Sequence, residues 1–343
     1  MPVKGVICER RNRSANRACI ISSMNGDAFV SGLVGWGIND RDFMEKTLKD
    51  LKIDVVISAV GEASILDQLT LVDAIQTLGT VKRFLPSEFG HDVDQTDPVE
   101  PGLAMYKEKR KVRRAVKASR VPYTYKCCNS IATWPYHDNT HPTEVLSPLD
   151  RFQIYGDGRV KAYFCCGTDI GKFTVKTIDD DRVVNKTVHF NPTCNFLNIN
   201  ELANLWEKKI GRTLPRVIVT EEDLLATAKE LRIATPKSFM TSFTHDIFIG
   251  GCQINFPVEG PKDIEVSQLY PDIPFRTMDK CFDDYIIELQ HRTSNENAKS
   301  SSIKLQHRPS DENSKPNSIK HQHQPSDELA KPNSMETGHP YNM

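Results

Sequence analysis

Tyr106 and Lys109 stand three positions apart in the segment Ala104 to Ser119, whose pattern predicts a helix, so both side chains share one face. A phenol beside an amine can do acid–base work if the lysine falls from its reference value of about 10.4, which burial or a neighbouring positive charge achieves. Lys107, Arg110, Lys111, Arg113 and Arg114 supply local charge. The same residues also describe a basic, solvated helix face, and on these residues alone the two readings stand level. A second titratable group, His91, ends the segment Leu85-Pro86-Ser87-Glu88-Phe89-Gly90-His91. A lone loop histidine is more often structural than catalytic, and only its neighbours change that.

The elements around these residues alternate. Val55 to Val60 reads as a buried strand, Leu66, Leu69, Val72 and Ile75 mark one face of a helix, and Val81 to Leu85 is a second strand. The Ala104 to Ser119 helix follows, then a strand from Tyr123 to Cys127. Successive strand–helix–strand units of this kind build a parallel sheet covered on both faces, and such a sheet binds ligands at the carboxyl ends of its strands. Ser58-Ala59-Val60-Gly61 and the Pro86 to His91 loop lie there, with small residues that let backbone approach a nucleotide. Asn129 and Ser130 end the next strand, where the amide can hold a substrate or a cofactor's carboxamide. Cys127 and Cys128 read as packing thiols rather than nucleophiles. Thr244-His245-Asp246 holds two residue types of a hydrolytic triad, but adjacent helical positions point apart, which argues against a His–Asp pair.

Upstream, Val6 to Cys8 and Phe29 to Leu33 read as short strands and Ala18 to Met24 as a short helix. After Trp134 the alternation loosens. Val160 to Cys165 and Val188 to Phe190 are expected strands, Asp169 to Ile178 an expected helix. Asn198 and Glu201 form a capping box opening a helix that closes at Gly211, with Pro215 beyond. Helices also fit Glu221 to Leu231 and Ser238 to Phe248, and Leu269 to Tyr285 closes the fold. The expected organisation is a nucleotide-binding domain over 1–134, a smaller α/β substrate lobe over 135–288 with some segments returning to the main sheet, and a tail over 289–343. That tail repeats a sixteen-residue unit, Ser302-Ile303-Lys304 returning as Ser318-Ile319-Lys320. It offers too few apolar residues for a solenoid and reads as disordered. Its His307, His321 and His323 impose no coordination geometry.

The 343 residues carry a net charge of −1 with both signs interspersed, which argues against nucleic-acid or anionic-membrane binding and for a small-molecule partner. Nine cysteines without C-x-x-C or Cys/His ligand spacing point to reduced thiols, and no metal is expected. No run is long and apolar enough for a signal peptide or a membrane span, so a cytoplasmic protein is expected and the sequons at Asn12 and Asn185 read as chance matches.

Arg83-Phe84-Leu85-Pro86, Cys127-Cys128-Asn129 and Thr244-His245-Asp246 resemble the signature motifs of the plant leucoanthocyanidin reductase family, within the wider isoflavone-reductase-like, NmrA-type extended Rossmann group. The similarity runs from about Asn16 to Tyr285 and includes Asp92-Val93-Asp94-Gln95-Thr96-Asp97-Pro98 and Phe152-Gln153-Ile154-Tyr155-Gly156-Asp157-Gly158. The resemblance implies a Rossmann-like doubly wound parallel sheet and NADPH-dependent removal of the C4 hydroxyl of a flavan-3,4-diol, a flavonoid substrate, giving a catechin-type flavan-3-ol. It carries the catalytic lysine onto Lys109, the catalytic histidine onto His91 and a supporting hydrogen bond onto Tyr106. Cofactor contacts would fall on Arg10, Arg11, Ser58, Val60, Gly61, Pro86, Ser87, Glu88, Phe89, Lys109 and Asn129, and substrate contacts on His91, Tyr106, Asn129 and Ser130.

Family members open with a strand and a G-x-x-G-x-x-G turn that grips the pyrophosphate, and no segment here matches either. One βα unit is therefore expected to be missing, leaving apolar strand edges exposed. Lys126 also replaces an apolar residue in a strand expected to be buried. Two alternatives remain open: a non-catalytic binding or regulatory protein that has lost the dinucleotide turn, and a sister reductase acting on isoflavones or phenylcoumaran ethers.

Overall fold

The computed structural model describes residues 18–24, 27–30, 33–36, 38, 40–132, 149–230 and 236–287. The strand expected at Val6 to Cys8, Arg10, Arg11, the sequon at Asn12 and the repeat tail lie outside them. Strands β1 (Ala18–Met24), β2 (Asp27–Val30) and β3 (Leu33–Trp36) precede helix α1 (Arg41–Asp50). Then come β4 (Val55–Val60), α2 (Gln68–Leu78), β5 (Arg83–Leu85), α3 (Gly102–Ser119), β6 (Thr124–Cys127) and β7 (Ser130–Ile131). The remaining elements are β8 (Phe152–Tyr155), β9 (Lys161–Cys165), α4 (Gly167–Lys176), β10 (Lys186–His189), β11 (Phe196–Asn198), α5 (Ile199–Ile210), β12 (Arg216–Val219), α6 (Glu221–Glu230), α7 (Pro236–Phe248), β13 (Asp263–Glu265) and α8 (Val266–Leu269). A helical segment at 278–287 follows.

The main sheet runs β3-β2-β1-β4-β5, with β1, β4 and β5 parallel. A parallel bridge from Phe84 to Tyr123 carries it to β6, which pairs in parallel with β10 and through it with β13. Both faces of β4 are buried: Val56 and Val60 pack with Leu71, Ile75, Val112 and Val116 of the helices, while Val55 and Ile57 meet Leu85 and Ile178 behind. This is the burial pattern of a doubly wound sheet. Strands β11-β9-β7 and β8-β12 form two smaller sheets, around a core that includes Phe152, Phe164, Trp206 and Phe282.

Three expectations are corrected. Ala18–Met24 is a strand rather than a short helix. It holds the β-branched pair Ile20-Ile21, and β4 offers unpaired backbone groups that residues 18–23 satisfy in parallel register, from Ala18 opposite Val55 to Ser23 opposite Val60. The same pairing covers the β4 edge that was expected to stand open. Phe29 to Leu33 is split between β2, which ends at Val30, and β3, which begins at Leu33, and the two pair antiparallel. Helix α1 was not anticipated, although Asp40 caps it by accepting from the Phe43 amide and Met44 and Leu48 supply its buried stripe. Elsewhere the pattern holds. The Asn198/Glu201 capping box closes reciprocally at 2.8 Å in both directions, and Gly211 ends α5 at φ +69°.

Lys126 is fully buried on β6, donating to Thr177 Oγ1 and lying 5.9 Å from the centre of the Phe190 ring. Among the described residues no carboxylate pairs with it. Burial, helped by nearby Arg83, pushes the ammonium down to about 7. The unfolded chain keeps an ordinary lysine, so between about pH 7 and pH 10 it binds more protons than the folded one, and stability rises with pH across that window. Lys126→Met is expected to stabilise the fold at pH 7 by roughly 1–3 kcal/mol, the scale of removing an ill-compensated buried charge. The gain should shrink towards pH 10. Urea denaturation of both proteins at the two pH values checks this, and a loss of stability at pH 7 would mean the ammonium has adequate partners.

Candidate active site

Helix α3 has one buried and one solvated face. Tyr106, Lys109 and Arg113 fall on its buried stripe with Val112 and Val116, whereas Lys107, Lys111, Arg114 and Lys117 face outward. Lys109 Nζ donates to the Glu88 carbonyl at 2.7 Å. Burial is the main force lowering its pKa; Glu88 opposes and Arg113 reinforces the shift. The buried face therefore presents an amine that gives up its proton more readily than free lysine does.

The Pro86 to His91 loop is fastened from several sides. Ser87 donates its hydroxyl to the Val60 carbonyl at 2.9 Å and its amide to Gln68 Oε1 at 2.8 Å, tying the end of β5 to the end of β4 and to the start of α2. Arg113 bonds Glu88 Oε2 at 2.9 Å and Asp92 Oδ1 at 2.6 Å on either side of His91. The Asn129 amide reaches the Gly90 carbonyl at 3.1 Å. Phe89 and Asn129 sit at φ +35° and +56°, left-handed conformations that surrounding contacts must hold.

His91 is buried between Tyr106, whose hydroxyl is 2.7 Å from Nδ1, and Gln253, whose Nε2 is 3.1 Å from the ring Nε2. Burial, with Lys109 adding repulsion, lowers the imidazole to about 4, so the ring is neutral near pH 7. Phe243 of α7 stacks on Tyr106 with ring centroids 5.5 Å apart, and burial raises the Tyr106 phenol well above its ordinary value.

The structure thus brings His91, Tyr106 and Lys109 into one buried cluster beside the strand-end loops. Ser58, Val60, Pro86, Ser87 and Glu88 are buried behind it and Gly61 is exposed at the end of β4. Ser130 is buried and receives a hydrogen bond from Gln253 at 2.7 Å. Asn129 spends both amide hydrogens on the Phe190 carbonyl and Asn191 Oδ1, which anchors the turn. Cys127 and Cys128 are buried with raised pKa values, Cys128 to about 12, as packing thiols should be. His245 and Asp246 part company as expected, one meeting Glu221 at 2.9 Å and the other accepting from Thr96 at 3.0 Å. Sequence reasoning missed Gln253, Phe243 and the loop-fastening role of Arg113. Only Arg113 left a trace, four positions beyond Lys109 and hence on the same face.

A doubly wound α/β sheet with an acid–base cluster at its strand ends is the architecture of Rossmann-like oxidoreductases. Residues 31–282 match the NmrA-like family. The chain is 60% identical over 275 residues to leucoanthocyanidin reductase from Desmodium uncinatum, covering 80% of this chain and 70% of that protein. It is 42% identical over 285 residues to a phenylcoumaran benzylic ether reductase from Ginkgo biloba, covering 83% and 91%. Among solved structures, the binary complex of leucoanthocyanidin reductase and NADPH from Vitis vinifera superposes with a TM-score of 0.69 at 63% identity, covering 73% of this chain and 80% of that one. The chain belongs to the NmrA-like family. Within it, this protein is an oxidoreductase homologous to leucoanthocyanidin reductase, and the sequence-based family and fold are borne out.

Proposed function

We propose that this protein is an NADPH-dependent reductase that removes the C4 hydroxyl of a flavan-3,4-diol to give a catechin-type flavan-3-ol. The observation that carries the reading is the gathering of Lys109, His91 and Tyr106 in one buried cluster, in a chain 60% identical to a leucoanthocyanidin reductase. The strand ends fit a dinucleotide. Gly61 has open space where a side chain would stand, and the buried Ser58 Oγ has no hydrogen-bond partner among the described residues. Ser58, Val60, Gly61, Pro86, Ser87, Glu88, Phe89, Lys109 and Asn129 would hold the cofactor, which supplies hydride to C4 when bound.

Lys109 is the base. Its amine takes the proton of a substrate phenol hydroxyl, and electrons pushed through the ring expel the C4 oxygen. The His91–Tyr106 pair gives that oxygen a proton, so it leaves as water and a quinone methide remains. After reduction at C4, Lys109 returns its proton to the phenolate. The balance is diol, NADPH and one proton in, and flavan-3-ol, NADP⁺ and water out. The charged form of His91 is a strong but scarce donor at a pKa of about 4, and Tyr106 supplies the hydrogen-bonded route beside it. Among the described residues no helix is long and apolar enough to cross a membrane. A cytoplasmic location accompanies the proposal, consistent with the free thiols at Cys127, Cys128, Cys165 and Cys252.

The test follows NADPH oxidation and product formation with a flavan-3,4-diol, an isoflavone and a phenylcoumaran ether. Catechin-type product from the diol alone is expected. Turnover of another substrate in preference would reassign the specificity, and NADPH binding without any turnover would favour a regulatory role.

A further inference from the structure

Gln253 follows α7 in the turn Gly250-Gly251-Cys252 and is buried. Its amide is oriented by a donor that cannot act otherwise: the backbone N–H of Tyr163 in β9 points at Oε1 from 2.7 Å. The NH₂ end must then face the other way, where it meets Ser130 Oγ at 2.7 Å and His91 Nε2 at 3.1 Å. An amide nitrogen only donates, so His91 Nε2 is the acceptor and carries no proton. The ring proton of the neutral imidazole lies on Nδ1 and is given to Tyr106 Oη at 2.7 Å. Because Tyr106 already receives a hydrogen bond there, its own O–H is free to donate elsewhere.

We propose that Gln253 is a positioning residue that holds His91 in the tautomer protonated on Nδ1, suppresses protonation of Nε2, and so leaves the Tyr106 hydroxyl as the proton presented by the pair. Placing an imidazolium N–H against the amide NH₂ costs a lost hydrogen bond and a donor–donor clash, so Gln253 must turn before His91 can charge. The titratable and charged groups facing the ring are Tyr106 and Lys109 from α3, Asp246 from α7 and Cys252 from the following turn. Asp246 is engaged by Thr96, and burial raises the Cys252 thiol, so neither competes with the amide at Nε2 as a charged acceptor of first resort. The residue's reach also explains why it escapes sequence reading, since it is 162 positions from His91.

This inference rests on the proposed reductase reading for its meaning in turnover, but not for its test. Nitrogen-15 chemical shifts of His91, followed by NMR against pH in the full chain, report tautomer and titration directly. The parent should show a protonated Nδ1, an unprotonated Nε2 and a midpoint well below that of free histidine. In Gln253→Glu an acceptor replaces the donor, so the midpoint should rise by at least one pH unit and Nε2 should become protonated at neutral pH. Gln253→Met, which removes the donor without adding charge, should give a smaller rise and a mixture of tautomers. Unchanged tautomer and midpoint in both folded variants would overturn the proposal. If the shifts move as expected while no substrate is turned over by the parent, the reductase reading fails and the role of Gln253 stands; if turnover occurs, the acid limb of its pH profile should move with the His91 midpoint.

Discussion

Lys109→Ala is expected to lower turnover of a flavan-3,4-diol by about 10²–10⁴-fold, the range a positioned acid–base group contributes, and to weaken NADPH binding, as the loss of one contact among several, by a much smaller factor. The geometry gives the reason. Lys109 Nζ is buried and held by the Glu88 carbonyl at 2.7 Å, and among the described residues no carboxylate forms an ion pair with it. A base must be unprotonated to act, and burial moves this amine below the ordinary lysine value. The sign follows: kcat/KM should rise with pH along a limb whose midpoint lies below that of free lysine, and Lys109→Ala should lose that limb. Lys109→Arg keeps the positive charge but stays protonated at every working pH, so it should be as inactive as the alanine variant. Product analysis over a pH series, with NADPH titrated calorimetrically, separates these effects. Full activity in Lys109→Arg would show that charge, not proton transfer, is what the site needs from this residue.

The elements that sequence revealed are those written in local pattern. The buried run of β4, the two-faced helix α3 and the capping box of α5 each sit within a few turns of chain, and their signals are set by nearest neighbours. Tyr106 and Lys109 were legible because helical periodicity places them on one face, and His91 because it ends a strand-end loop. The misses share one cause. Whether 18–24 becomes helix or strand depends on the edge of β4, more than thirty residues on, and no local rule reports an available edge. Gln253 reaches His91 only after α7 and β9 have packed, and the burial that lowers Lys109 is likewise a property of the assembled sheet.

Arg113 shows how far a tertiary requirement can concentrate on one side chain. Its guanidinium, 2% exposed, lies 4.6 Å from the centre of the Tyr125 ring and bonds Glu88, Asp92 and Asp94, all in or beside the loop that carries His91. Arg113→Met would retain much of the apolar stem and leave Glu88 and Asp92 buried without their cation. Breaking such a pair from one side costs roughly 3–5 kcal/mol, more than the pair's own net worth, because the remaining charge stays desolvated. The loss should depend on pH in a definite direction. In the parent, burial raises the Asp94 carboxyl, but hydrogen bonds from Arg114 and Arg113 outweigh it and hold it down to about 2. That stabilisation is present above the ordinary carboxylate range and is lost as pH falls towards 2. In Arg113→Met the stranded carboxyls shift upward instead, so the folded variant takes up protons on acidification and recovers stability. Both trends narrow the gap between the proteins from pH 7 to pH 4.5, which urea denaturation at the two values reads directly. Glu88→Gln in the Arg113→Met background should restore part of the loss at pH 7. A gap under about 1 kcal/mol at pH 7, or one that widens in acid, would mean the loop is held by its backbone contacts and that Arg113 only fills space over Tyr125.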